Sequence, residues 1–159
     1  MARGLALLLC LLTFAGLAAS CGGGAGDRVE VRIGRLVIEA ELARTPEERT
    51  QGLSGRGSLP REAGMLFVFP QEHVASFWMR GMRFPLDFIW ISGDRHVVDL
   101  TEDVPPPAPG TPDDALPFYN PDAPVLYVLE VNAGVVQESG VRAGDSVSFE
   151  PDVSPEEEQ

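Results

Sequence analysis

The sequence predicts a mainly β domain, an antiparallel β-sandwich or partly closed barrel carrying one or two short helices. Three observations point there. Apolar residues recur at spacing two over 29–42, the period at which side chains share one face of a strand. Six further short apolar or β-branched runs are separated by Gly, Pro, Asp or Asn, the punctuation of turns rather than of long helices. Of the 159 residues, 44% are hydrophobic and 23% charged, a balance that suits one folded domain and neither a disordered nor a fibrous chain.

Taken in order, Val29, Val31 and Ile33 alternate with Glu30 and Arg32, and Leu36, Ile38, Ala40 and Leu42 resume the alternation beyond Gly34-Arg35. That is a strand hairpin. Thr45-Pro46-Glu47-Glu48 opens a helix: Thr45 caps it, Pro46 has no amide to lose at the first helical position, and Glu48 completes a capping box. The helix should end near Gly52. Strands are expected at Met65–Phe69, Phe77–Met79, Leu86–Ile91, Val97–Leu100, Val125–Val131 and Ser146–Phe149. A helical turn at Val135–Ser139 is closed by Gly140, and Ala143-Gly144-Asp145 turns into the last strand.

The amino end reads as an export signal. Arg3 supplies a positive start, Leu5 to Leu17 form an apolar stretch too short to span a bilayer, and Ala18-Ala19-Ser20 are small. Cys21 follows directly, so the segment resembles a bacterial lipoprotein signal, in which that cysteine is acylated and becomes the first mature residue. Ala18 stands where such signals usually carry Leu, which keeps cleavage by an ordinary signal peptidase as the alternative. The organisation expected is a signal peptide at 1–20, a lipidated Cys21 with a Gly-rich linker at 21–27, one β-rich domain at 28–150 and an acidic tail at 151–159. The protein would then be exported and anchored to a bacterial membrane through acyl chains on Cys21, since two or more chains anchor stably where one does not. Gly22 after the cysteine points to the outer membrane, facing the periplasm, in a two-membrane cell; a soluble secreted or periplasmic form is the alternative.

The net charge is −12, with 12 basic residues, all Arg, against 24 acids, which argues against nucleic acid as a partner. Six of the acids fall between Asp99 and Asp122 and five between Glu150 and Gln159, so the acidity belongs to one loop and one tail. Solvation accounts for both, and no calcium-loop spacing occurs. Eight of the 14 prolines lie in 101–124, which marks an extended excursion from the domain. Within it, Phe118 and Tyr119 either dock on a cleft or pin the loop to the core. Both cysteines, Cys10 and Cys21, lie in the first 21 residues, which leaves no downstream disulfide, Cys-based zinc site or thiol nucleophile.

The segments Arg44-Thr45-Pro46-Glu47-Glu48-Arg49, Gly52-Leu53, Gly64-Met65-Leu66-Phe67-Val68-Phe69, Phe77-Trp78-Met79-Arg80, Pro85-Leu86-Asp87 and Leu129-Glu130-Val131-Asn132-Ala133-Gly134 occur in that order. Together they resemble the domain of unknown function 192 family, from about Val29 to Phe149. The resemblance implies a small β-rich domain, frequently secreted or membrane-tethered in bacteria and archaea, with no established activity. Ser54 stands where that family often has Met, and Gly81-Met82 where Asn-Thr is common.

The densest group of functional side chains is Phe77, Trp78, Arg80, Arg83 and Asp87. Strand alternation sends Phe77 and Met79 to one face and Trp78 and Arg80 to the other. An indole flanked by Arg80, Asp87, Glu130 and Asn132 would stack a sugar or clamp a carboxylated envelope glycan. In the plainer reading Trp78 is core, and Arg80 pairs with Asp87 or Glu130. Asp87 and Glu130, each in an apolar run, are also the best paired carboxylates, and hydrolysis would need them about 5 to 10 Å apart across a cleft. His73 and His96 form no metal motif, no nucleophile elbow or phosphate loop occurs, and neither metal nor cofactor is expected. The leading expectation is therefore a lipid-anchored envelope domain that binds a glycan, another envelope ligand or an envelope protein without catalysis. A carboxylate hydrolase using Asp87 and Glu130, and a structural or assembly factor of the envelope acting through the acidic loop, are the alternatives.

Overall fold

The computed structural model describes residues 27–155. The expected signal peptide at 1–20, Cys21, residues 22–26 and the last four residues of the chain lie outside the described residues. Strands β1 (Arg28–Ile33) and β2 (Leu36–Ala43) form the expected hairpin, paired from Arg28↔Glu41 to Ile33↔Leu36, and their alternate residues are buried. Gly34 takes φ +57° at the turn, a backbone state that costs a Cβ-bearing residue. Helix α1 (Pro46–Gln51) carries the full capping box: the Thr45 side chain accepts from the Glu48 amide at 3.2 Å, while Glu48 Oε2 accepts from the Thr45 amide at 3.0 Å. Caps of this kind contribute about 1 kcal/mol.

Strands β3 (Ala63–His73), β4 (Leu86–Ile91), β5 (Val97–Val104), β6 (Val125–Asn132) and β7 (Val147–Glu150), with the short helix α2 (Val135–Ser139), complete the regular structure apart from one turn of 3₁₀ helix at Asp113–Ala115. All seven strands belong to one sheet, in the order β5-β4-β6-β3-β2-β1-β7. Its two edges meet again at a His96↔Ser146 bridge, reinforced by the Val147 amide donating to the Arg95 carbonyl at 2.9 Å. The sheet is thus a curled, nearly closed barrel rather than a sandwich. It is also not wholly antiparallel, because β2 and β3 run parallel. A parallel pair cannot be joined by a tight turn, and α1 with the loop to residue 62 supplies the crossover.

Period two sorts the core into two faces. Val31, Ile38, Leu66, Ile89, Leu129 and Phe149 belong to a cluster fed by every strand, which fills the inside of the curl. Met65, Phe67, Phe88, Trp90 and Val128 point the other way, into a second cluster shared with Phe77, Met79 and Met82 from the loops. The central strands are therefore apolar on both faces, and β4 is buried at all six positions. Trp90 is fully buried and its indole N–H donates to Thr101 Oγ1 at 2.8 Å, which satisfies the one polar atom such burial would otherwise strand.

Three elements depart from expectation. Phe77–Met79 is not a strand; only Phe77 pairs, with Tyr119, and a turn at Gly81 (φ +70°) bends the chain away at once. Strand β3 runs through Pro70 to His73 because the β3–β6 register shifts between Val68 and His73, so proline removes no ladder amide there. Strand β5 continues to Val104, so the proline-rich excursion begins at 105 rather than 101.

Candidate functional site

On the outer face of the sheet, beneath α1, lies a cavity of about 390 Å³, within the range of small-molecule sites. Its walls come from α1, β3, the 76–82 segment and Phe118. Spacing two on β3 puts Phe67 and Phe69 on the cavity side. Phe77 packs on the sheet's outer face beside them, edge-on to Phe67 at 4.9 Å and to Trp90 at 5.4 Å. These contacts are the offset and edge-to-face arrangements that aromatic quadrupoles favour, and they make the wall rigid. Helix α1 buries no side chain of its own. It is held over the cavity by Arg49, which donates to the Arg44 carbonyl and to the Val68 carbonyl at 3.1 Å, and whose guanidinium lies 5.4 Å from the Phe69 ring centre. Both acceptors are neutral backbone groups, so among the described residues no carboxylate pairs with the Arg49 charge.

Trp78 is half-buried at the cavity mouth and stacks on exposed Phe118 with ring centres 5.5 Å apart and planes 21° from parallel. The Arg80 guanidinium lies 4.6 Å from the same indole and pairs with Asp113 at 3.7 Å. Phe77 and Met79 are buried while Trp78 and Arg80 are not, the alternation expected even without a strand. The expected partner of Arg80 is replaced: it is Asp113 in the proline-rich loop, not Asp87 or Glu130. The indole is already engaged by Phe118 and Arg80, so a stacked sugar would have to displace one of them. Phe118 and Tyr119 divide the two roles foreseen for them. Tyr119 exchanges both backbone hydrogen bonds with Phe77 and packs on Phe88 at 5.9 Å, while Phe118 closes on the cavity.

Glu130 forms part of the cavity wall. On β6 it stands opposite Phe88 of β4 and Met65 of β3, so its carboxyl projects among apolar neighbours. It is 5% exposed, and among the described residues nothing hydrogen-bonds or ion-pairs with it. Burial without compensation penalises the charged form and pushes the Glu130 carboxyl up to about 8. At neutral pH it is chiefly a protonated acid, able to donate as well as accept a hydrogen bond. Gly64 is what lets β3 come this close: a Cβ there would meet the Glu130 carbonyl oxygen at 2.7 Å.

Asp87 is on the other face. In the β4–β6 register Asp87 pairs with Val131, whose side chain belongs to the interior cluster. The pairing of Asp87 with Glu130 across one cleft is therefore corrected by register: the two carboxylates point through opposite sides of the sheet. Asp87 is fully buried and accepts from the amides of Asp103 at 2.9 Å and Val136 at 3.0 Å. These bonds hold a bulge in β5, where Asp103 has φ +53°, and tie α2 to the sheet. Asn132 shares the Glu130 face but donates to the carbonyls of Leu59 and Pro60, both at 3.1 Å, fixing the crossover loop.

Of the residues singled out from sequence, the structure brings Trp78 and Glu130 to one cavity, places Arg80 at its rim, and assigns Asp87 and Asn132 to holding the fold. Arg49, Phe69 and His73 on the cavity wall were not foreseen. The spacing of Phe67 and Phe69 on one strand face was the available signal for the wall; nothing local marked Arg49. His73 packs on Phe69 at 4.5 Å, whereas His96 lies at the barrel seam against Asp94 and Ser146. Among the described residues no three His, Cys, Asp or Glu side chains are grouped as a metal ion would require. Ser54 and Gly81, the two departures from the family pattern, touch: Ser54 Oγ donates to the Arg80 carbonyl at 2.7 Å, and a Cβ on Gly81 would lie 3.3 Å from that of Ser54.

Residues 28–149 match the model of the DUF192 family, described as an uncharacterised ACR. A UPF0127 protein of Pyrococcus furiosus is 30% identical over 114 residues, covering 70% of this chain and 87% of its own. Two crystal structures share the fold. One, a protein of Sinorhizobium meliloti provisionally described as a transcription regulator, superposes with a TM-score of 0.72 at 31% identity over 81% of this chain and 98% of its own. The other, a protein of unknown function from Novosphingobium aromaticivorans, gives 0.67 at 34% identity over 76% of this chain and 83% of its own.

Proposed function

The chain belongs to the DUF192 family, and from that premise we propose that it is a non-catalytic binding protein of the bacterial envelope, tethered through Cys21, whose ligand is a small molecule held in the cavity beneath α1. The observation that carries this reading is the buried, unpartnered Glu130 carboxyl opening into a cavity whose mouth is formed by the stacked Trp78 and Phe118 rings. A polar group buried without a partner is destabilising in itself, so its presence in a rigid aromatic pocket is best accounted for by a ligand that completes its hydrogen bonding. A compact ligand suits the cavity better than a polysaccharide chain, since Phe118 and Arg80 occupy the indole that a sugar would need.

The regulator description attached to the Sinorhizobium protein is not carried over, because a net charge of −12 repels a phosphate backbone. The test is a thermal-shift and tryptophan-fluorescence screen of compact aromatic and branched aliphatic compounds against the full chain and its Trp78→Ala variant. Compounds that stabilise the wild type and lose that effect in the variant support the reading; a screen in which none distinguishes the two overturns it.

A further inference from the structure

We propose that the cavity selects a small zwitterion of the ammonium–carboxylate type, with Glu130 and the aromatic wall receiving the cationic end and Arg49 the anionic end. The inference rests on the binding reading above and names its ligand class. An ionisable acid and a guanidinium line the same cavity, neither with an oppositely charged partner among the described residues. Glu130 is buried with nothing bonded to it among the described residues, and Arg49 donates only to backbone carbonyls while its guanidinium lies 5.4 Å from the Phe69 ring centre. They do not compensate one another, since Arg49 donates to the Arg44 and Val68 carbonyls and not to Glu130. A ligand bearing both charges would satisfy each where it stands.

The rest of the wall favours an ammonium group at the Glu130 end. Phe67, Phe77 and Phe118 line the space beside the already engaged Trp78 and Phe69 rings, and aromatic rings attract cations, alkylated ammonium most of all, through their quadrupoles. The acidic chain as a whole draws cationic groups toward it. A free monocation would meet the Arg49 charge on the α1 side of the cavity, and a free acid would meet the negative protein and leave Glu130 without a cation to ionise against. A zwitterion avoids both. Binding would convert Glu130 to its ionised form and release its proton. Arg49 from α1 and His73 from β3 are the other titratable groups on the wall.

Four probes of one shape separate the contributions: glycine betaine carries both charges, choline the cation, 3,3-dimethylbutanoate the anion and 3,3-dimethylbutan-1-ol neither. Calorimetry on the full chain should show betaine binding at least tenfold tighter than the other three. At pH 7 close to one proton should be released per betaine bound, measured in buffers of different ionisation enthalpy. Glu130→Gln should abolish that release and weaken betaine and choline at least tenfold, leaving the uncharged alcohol unchanged. His73→Gln should leave the release intact, and Arg49→Gln should reduce betaine to the affinity of choline. If the alcohol or the butanoate binds as tightly as betaine, the zwitterion assignment fails while a small-ligand cavity stands. The assignment also fails if none of the four binds but compounds from the broader screen do. Silence in both experiments removes the binding reading as well.

Discussion

Phe88, not Asp87, stands opposite Glu130 in the β4–β6 ladder, and this one-residue offset sends the two buried carboxylates to opposite faces of the sheet. Strand side chains alternate without exception through this stretch, so a single step in register decides whether two acids share a cleft or hold different parts of the fold. Asp87 accepts two backbone amides, whereas Glu130 accepts none. Their chemistry diverges accordingly: one is a fixed hydrogen-bond acceptor, the other an uncompensated acid facing a cavity.

Replacing Asp87 by Ala should therefore destabilise the protein by about 3 kcal/mol, the scale for leaving two backbone amides without their acceptor. Urea unfolding measures this. Amide exchange at 101–104 and at Val136 should accelerate, while ligand affinity in the folded fraction should be unchanged. A stability within experimental error of wild type would show that the bulge and α2 are held by other contacts.

The pH dependence of stability follows from Glu130. Its folded proton affinity lies above the ordinary carboxylate value, at about 8 against 4.5. Between those values the native state binds more protons than the unfolded state, so stability falls as pH rises. The decline from pH 5 to pH 9 should amount to roughly 3–4 kcal/mol, at 1.36 kcal/mol per unit of displacement. Glu41, held below its usual range chiefly by the hydrogen bond from Arg56, acts in the opposite sense and loses its contribution only on acidification below about pH 4.5. Glu130→Gln should flatten the alkaline decline in thermal melts, leaving the acid limb in place.

Gly64→Ala should cost about 3 kcal/mol or more, since the added methyl would meet the Glu130 carbonyl at 2.7 Å and Ile38 Cγ2 at 2.8 Å. The strain falls on the β3–β6 pairing that presents Glu130. Chemical-shift changes should centre on Leu129, Glu130 and Val131. Changes spread evenly over the sheet would contradict this local origin.

The proline-rich loop is fastened at Tyr119 and Asn120, the latter donating to the Ala75 carbonyl at 2.8 Å. Tyr119→Ala should accelerate proteolytic cutting within 105–117 severalfold, through loss of its packing on Phe88. Phe118→Ala should leave cutting and stability nearly unchanged, within about 0.5 kcal/mol for an exposed site, yet weaken ligand binding. Equal effects of the two substitutions on cutting would show that the loop has no single fastening point.

Anchoring is tested at Cys21. In the proposed lipoprotein, Cys21→Ala should move the protein from the membrane to the soluble fraction, and mass spectrometry of the wild-type amino terminus should show added acyl mass. An unmodified terminus on membrane-free protein would replace the tether with simple secretion.

Much of the local structure was legible because it depends on neighbours in the chain. The capping box at Thr45–Glu48, the Gly34-Arg35 hairpin turn, the limits of β4 and the closing of α2 at Gly140 all follow from spacing and backbone preference. The strand assigned to Phe77–Met79 failed because the correct in-and-out alternation arises there from packing between a loop and the outer core, not from pairing. The antiparallel expectation failed at β2–β3 because crossover direction leaves no mark in periodicity.

The amino-acid sequence by itself determined that this chain forms a mainly β domain, where its turns and helix starts lie, and that Trp78 and Glu130 were worth attention. Only the tertiary structure decided which side chains meet. Register put Asp87 through one face and Glu130 through the other, and the β2–β3 crossover swung α1 with Arg49 over Phe69. The physical reason is that alternation specifies a side chain's face relative to its own strand, whereas the partner strand, its offset and the loop covering it are set by packing between segments far apart in the chain.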